Sequence, residues 1–263
     1  MVLDYPATWE WDPVSGQWTS RTPSASPAQR YDHAMAYDSN RKKVVLFGGW
    51  NGTALSDTWE WDGAAGTWSQ RNPSVVPPGT ERHGMAYDPI RGRVVMVPCP
   101  NVIGPTTWEW DGSNWTERYA PANPAPYGQQ DLMWDSVGQR ILMLNGSSQA
   151  TVWEWHPTDA TWIRISIGCT PSLRGGAAVA FDSAKDQVVY FGGSFNPGTL
   201  VYDQDLWRWA PDGFAWREYA QSGTWPSGRD SAKFVYDAVR GRLLMFAGVE
   251  QGSILDELWE LRY

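Results

Sequence analysis

The chain has 263 residues, 19 of them Trp, and a formal net charge of −8 from 21 Lys and Arg against 29 Asp and Glu. That length holds one large all-β domain or two small ones with ample core, and the acidic balance argues against a nucleic-acid backbone as the main partner, because phosphate binding needs a positive field. No apolar run is long enough to span a bilayer, so no membrane partner is expected, and Met1-Val2-Leu3-Asp4 is not a basic-then-apolar leader.

In chain order, the first predicted strand is TWEWD at 8–12, followed by a tight turn and a strand around a lone Trp, GQW at 16–18. From there a unit of about fifty residues recurs. Each unit opens on a short strand ending in Asp: HAMAYD (33–38), HGMAYD (83–88), DLMWD (131–135), AVAFD (178–182) and KFVYD (233–237). A turn rich in Gly and Arg leads to an apolar strand: VVLFGG (44–49), VVMVPCP (94–100), ILMLNG (141–146), VVYFGG (188–193) and LLMFAG (243–248). A loop of variable length then reaches another copy of the Trp-x-Trp strand, at 58–62, 107–111, 152–156, 206–210 and 258–262. All but the last are followed by a lone-Trp strand: GTW, SNW, ATW and FAW. Pro-rich connectors such as NPSVVPPG carry the chain onward. Every segment alternates with period two between Gly, Pro, Asp or Asn, so the reading is antiparallel strands throughout.

Four antiparallel strands at this period make the blades of a β-propeller. With an apolar strand ending in Gly48-Gly49 or Gly192-Gly193, and a spaced pair of aromatics behind it (Trp61 and Trp68, Trp209 and Trp216), the chain resembles the kelch repeats of the galactose-oxidase-like superfamily. Pro98-Cys99, Asn145-Gly146 and Ala247-Gly248 depart from the Gly-Gly mark. The expected fold is therefore all-β, a single kelch-type propeller over 1–263. Its blades lie at about 33–71, 83–118, 131–165, 177–219 and 232–263 plus 8–20. Of the 19 Trp, 16 fall on the Trp-bearing strands and read as core. Glu10, Glu60, Glu109 and Glu154 point the other way along the pleat, toward arginines of the adjacent blade, and Arg208 breaks the series.

Closure of the ring poses a counting problem. The Trp-x-Trp strand occurs six times and everything around it five times. The favoured reading is five blades with 16–20 completing the last one, the N-terminal hairpin intact and one Trp-x-Trp strand surplus. The alternative is an incomplete six-bladed ring with exposed edges. Monomer and strand-exchanged oligomer are both consistent with the surplus strand.

Function is expected on the face where connectors and the loops after the apolar strands emerge, since loops on a rigid scaffold carry binding. Trp50 and Trp225 lie there and are expected either to flank one groove or to cap their own loops. Arg30, Arg82, Arg174 and Arg229, with Tyr127 in the third blade, recur before the first strand. One reading makes them a ring receiving an anion. The other has each tie its connector to an acid such as Asp57, Asp205 or Asp256. His33 and His83 read as inter-blade packing, Cys99 and Cys169 as free thiols, and Arg41, Lys42, Lys43, Arg91, Arg93, Arg240 and Arg242 as a solvated positive rim. The enzymes that share the resembled propeller bind copper through Tyr and His with a Tyr–Cys crosslink, a set that three His and two Cys do not assemble here. No catalytic residue, metal or cofactor is expected. The resemblance implies a recognition module for a protein or peptide; the alternative is a lectin, and an enzyme of unrecognised site is a third reading. The compartment stays open.

Overall fold

The computed structural model describes residues 2–4, 7–99, 106–119, 131–145, 149–166, 171–172, 174–194, 202–211, 215–220 and 223–261. The architecture is all-β and of β-propeller type, with five blades, and no helix occurs among the described residues. The chain divides into two compact units, Met1–Pro121 and Ala122–Tyr263.

The first unit begins with β1 (Val2–Asp4), β2 (Ala7–Asp12) and β3 (Gln17–Arg21), which form a three-stranded sheet in that order. The first blade follows as β4 (Ala34–Asp38), β5 (Lys43–Phe47), β6 (Thr58–Asp62) and β7 (Thr67–Arg71). The second is β8 (Gly84–Asp88), β9 (Arg93–Val97), β10 (Thr106–Trp110) and β11 (Trp115–Tyr119). The second unit holds β12 (Asp131–Asp135), β13 (Arg140–Asn145), β14 (Thr151–His156) and β15 (Thr161–Arg164) as the third blade. The fourth is β16 (Ala178–Asp182), β17 (Gln187–Phe191), β18 (Leu206–Ala210) and β19 (Ala215–Glu218). In the fifth, β20 (Lys233–Asp237) and β21 (Arg242–Phe246) are followed by the ribbon β22 (Val249–Glu250) and β23 (Ser253–Ile254), and then by β24 (Leu258–Leu261) beside β21.

The extra Trp-x-Trp strand has a place inside a sheet. β2 sits mid-sheet between β1 and β3, while the last copy, β24, pairs with β21. The N-terminal hairpin is intact, and Gln17–Arg21, expected above to finish the last blade, pairs with β2 and edges that sheet. The fifth sheet is three-stranded among the described residues.

Local chemistry explains the pattern. Each first strand ends in Asp because its carboxylate caps the turn that follows: Asp38 accepts from the amides of Asn40 and Arg41, Asp88 from Ile90 and Arg91, and Asp135 from Val137 and Gly138. The apolar strands read as unbroken hydrophobic runs because both faces are covered. Val45 and Phe47 join Met85, Val94 and Met96 of the second blade, whereas Leu46 packs with Trp59, Trp61 and Trp68. Within a blade the second Trp stands opposite the lone Trp, as in Trp61 and Trp68, whose rings lie 5.4 Å apart.

Sheets are joined by indole N–H donors. Trp61 donates to Glu10 at 3.0 Å and Trp68 to Thr8 at 2.8 Å; one blade on, Trp110 donates to Glu60 at 3.1 Å and Trp115 to Thr58 at 2.9 Å. Glu10 and Glu60 thus accept from the adjacent blade's indole, and the ion pairs of this series run within one sheet: Glu10 with Arg21, Glu60 with Arg41, Glu109 with Arg91 and Arg118, Glu154 with Arg140. That corrects the expectation of arginines from a neighbouring blade. It also dissolves much of the expected positive rim. Arg41, Arg91 and Arg242 are drawn into pairs with strand carboxylates, and Lys43 into a pair with Asp62, because a half-buried charge needs a partner.

Candidate functional site

Connectors and the loops after the apolar strands are knitted together on one side of the blades by single antiparallel bridges. Tyr31 bridges Trp50 in the first blade, Gly175 bridges Ser194 in the fourth, and Asp230 bridges Val249 in the fifth. The glycine mark serves this approach. A Cβ on Gly48, whose φ is +60°, would stand 2.6 Å from the carbonyl oxygen of Thr80.

Three of the recurring arginines are enclosed by this framework. Arg30 grips Asp57 with both Nη atoms, at 2.5 and 2.8 Å, and also donates to the carbonyls of Ala28 and Gly48. Arg174 repeats the fork on Asp205 and adds Asp203 at 3.0 Å. Arg229 reaches Glu257 at 3.1 Å and the Ala247 carbonyl, so the acid of the fifth blade is Glu257 and not Asp256. Their side chains are 1%, 5% and 1% exposed. The same acids accept the indole N–H two residues on, from Trp59, Trp207 and Trp259. Burial works to raise Asp57 and Asp205, but the hydrogen bonds from arginine and indole outweigh it and hold both below the usual carboxylate range.

Arg82 does not belong to this set. Counting back from the first strands puts Arg30, Arg174 and Arg229 in one register, and the residue there in the second blade is Thr80. The acid is lost with it, since Thr106 stands where Asp57 does. Thr80 accepts from the Cys99 amide at 3.1 Å instead. Arg82 lies two residues further on, in the register of Asp32, Gly176 and Ser231. All four have positive φ, +56° for Asp32 and +53° for Arg82, and they link consecutive blades: Arg82 N donates to Asp32 O at 2.9 Å, and Ser231 N to Gly176 O at 2.7 Å. The Arg82 side chain is 59% exposed and, among the described residues, makes one side-chain hydrogen bond, Nε to Asp32 Oδ2 at 3.1 Å. That hydrogen bond, the charge of Asp32 and a smaller contribution from Glu81 keep it raised.

Beside Asp32, Tyr31 is 59% exposed. Its backbone exchanges two hydrogen bonds with Trp50, at 3.1 and 2.9 Å, so the two side chains leave the same face of the ribbon. Trp50 is half-buried. Of the sequence-predicted residues, the first unit therefore brings Trp50 and Arg82 to the surface around Tyr31 and Asp32, and encloses Arg30. Tyr31, Asp32 and Glu81 were missed. The register of Arg82 was readable in the sequence, but exposure at Tyr31 was not. In the second unit Trp225 packs against the cluster of Phe191, Leu206 and Met245, with its ring 6.2 Å from Tyr219. Tyr127 and Cys169 lie outside the described residues, and Cys99 is buried.

His83 is 4% exposed, edge-on to Phe47 at 5.7 Å. Burial, and behind it the charge of His33, push it down to about 3, so the imidazole is neutral. Among the described residues no group of three or more His, Cys, Asp or Glu is placed to hold a metal ion.

No family model matches the chain, and no curated protein matches it.

Proposed function

We propose that the protein is a non-catalytic recognition module that binds its ligand on the loop side of the blades, at the surface around Tyr31 and Trp50. The observation that carries this reading is a contrast between equivalent positions. Where the fourth blade has Gly175 bridged to Ser194 and the fifth Asp230 bridged to Val249, the first places two aromatic side chains, one of them largely exposed. An exposed aromatic on a rigid, hydrogen-bonded bridge is an anchor of low entropic cost. A propeller is often an interaction module, and the resemblance to kelch repeats points to protein or peptide ligands. The aromatic and hydroxyl-matching groups at this surface equally suit a glycan.

The test is a labelled chain on a peptide array and a glycan array, run beside Tyr31→Ser and Trp50→Ala. Saturable binding on either array, lost in both variants while circular dichroism is unchanged, is expected. Binding that survives both substitutions would move the site elsewhere, and silence on both arrays would refute recognition through this face.

A further inference from the structure

Within that reading, the chemistry around Tyr31 narrows the ligand class. Arg82 and Asp32 are neighbours through Nε and Oδ2, and Glu81 adds its field to Arg82. One positive and two negative formal charges leave this patch net negative, on a chain that is itself at −8. A phosphate, sulfate or carboxylate would meet like charge there. What the patch does offer is alternation. Nε of Arg82 is held by Asp32, and its two Nη groups, on a side chain 59% exposed, make no hydrogen bond among the described residues. Asp32, one-third exposed, and Glu81 supply acceptors beside them. A ligand group that both donates and accepts is matched by such a row, and a hydroxyl is that group.

The second element is the platform. Tyr31 adjoins Asp32 in the chain, and its ring stands out from the surface with that of Trp50 opposite on the bridge. Flat aromatic faces take the apolar C–H face of a ring whose rim carries hydroxyls. The third element is backbone geometry. Asp32 and Arg82 hold left-handed conformations, with φ of +56° and +53°, at the position where the fourth blade uses Gly176 and the fifth Ser231. The inter-blade amide link requires that φ, and a glycine would meet it without strain. In the first and second blades this position carries a charged side chain at the surface.

We propose that Tyr31, Trp50, Asp32, Glu81 and Arg82 form a site for a neutral pyranose glycan, with the sugar ring on Tyr31 and adjacent hydroxyls bridging Asp32 and Arg82. This inference rests on the recognition reading above, and it fails separately from it.

The experiment starts from an array of neutral and acidic glycans and takes the best neutral hit, as a tetrasaccharide, into calorimetry with the whole chain. Tyr31→Ser and Arg82→Gln are each expected to weaken binding about tenfold or more. Both side chains are mostly exposed, so the fold should survive, and thermal unfolding checks it. An acidic trisaccharide is expected to bind at least about tenfold more weakly than the neutral one. A preference for acidic glycans, or a neutral ligand insensitive to Tyr31→Ser, overturns the inference. Peptide binding lost in Tyr31→Ser, with no neutral glycan bound, overturns the glycan and keeps the recognition surface. Absence of any ligand overturns both.

Discussion

Trp68 and Trp115 each give an indole N–H to a threonine of the preceding sheet, whereas the equivalent Trp216 has Val152 in that place. Val152 and Trp216 share one apolar cluster, and Nε1 of Trp216 is buried without an acceptor. Val152→Thr is nearly isosteric and sets a hydroxyl where Thr58 and Thr8 have theirs. It is expected to raise stability by about 1 kcal/mol, read as a higher urea midpoint at unchanged slope. In a Trp216→Phe background the gain should disappear; a gain that persists there would deny the proposed bond. His83 makes a second prediction at this scale. Its folded pKa is about 3 against an ordinary 6.5, so the unfolded chain takes the proton first as pH falls. The stabilising difference is complete above pH 6.5 and is lost between 6.5 and about 3. The limiting slope is about 1.4 kcal/mol per pH unit. His83→Gln should flatten the pH dependence of the melting temperature between 6.5 and 5, and an unchanged slope would assign the loss to other groups.

The arginine clasp is a property of an element, because Arg30, the Gly48 carbonyl, Asp57 and the Trp59 indole belong to one connector, one loop and one strand. Its charges are enclosed, so removing one partner should cost about 3–5 kcal/mol and removing both much less than twice that. Arg30→Met, Asp57→Asn and the double variant, unfolded in urea, test this. The clasp reading also requires that Arg30→Met leave ligand affinity unchanged wherever the fold survives, whereas an anion ring would lose binding in proportion. The blades themselves were legible because period-two alternation, an Asp at each first-strand end and the paired Trp are set by local geometry and burial on both faces. The arginine–acid pairing was one of two readings of the recurring arginines, and the joint loss of arginine and acid at Thr80 and Thr106 sets the second blade apart from it. What sequence did not reveal are features set by tertiary contact. Exposure of Tyr31 and the packing of Trp225 against the cluster of Phe191, Leu206 and Met245 depend on neighbours distant in the chain.

At the scale of the molecule, one rule of contact occurs twice in the first unit: a threonine and a glutamate on the Trp-x-Trp strand receive the two indoles of the next blade. The fourth blade departs from it together with its neighbour. In the fourth blade the pair becomes Leu206 and Arg208, and the following blade has Leu261 in place of the second indole, so no acceptor is needed. Arg208 stacks on Tyr219 at 5.5 Å instead. By the same rule the N-terminal sheet acts as a blade toward its neighbour, since Thr8 and Glu10 receive Trp68 and Trp61 as Thr58 and Glu60 receive Trp115 and Trp110. Thr8 is fully buried, so Thr8→Val removes one acceptor and leaves the Trp68 N–H in an apolar contact. The expected cost is about 1–3 kcal/mol, and Thr58→Val should cost the same through Trp115. Hydrogen exchange locates each effect: Thr8→Val should raise exchange in β4–β7, and Thr58→Val in β8–β11 as well. A Thr8→Val variant as stable as the parent, beside a destabilised Thr58→Val, would make residues 7–21 an appendage laid on the first blade and deny them a blade's part in holding it.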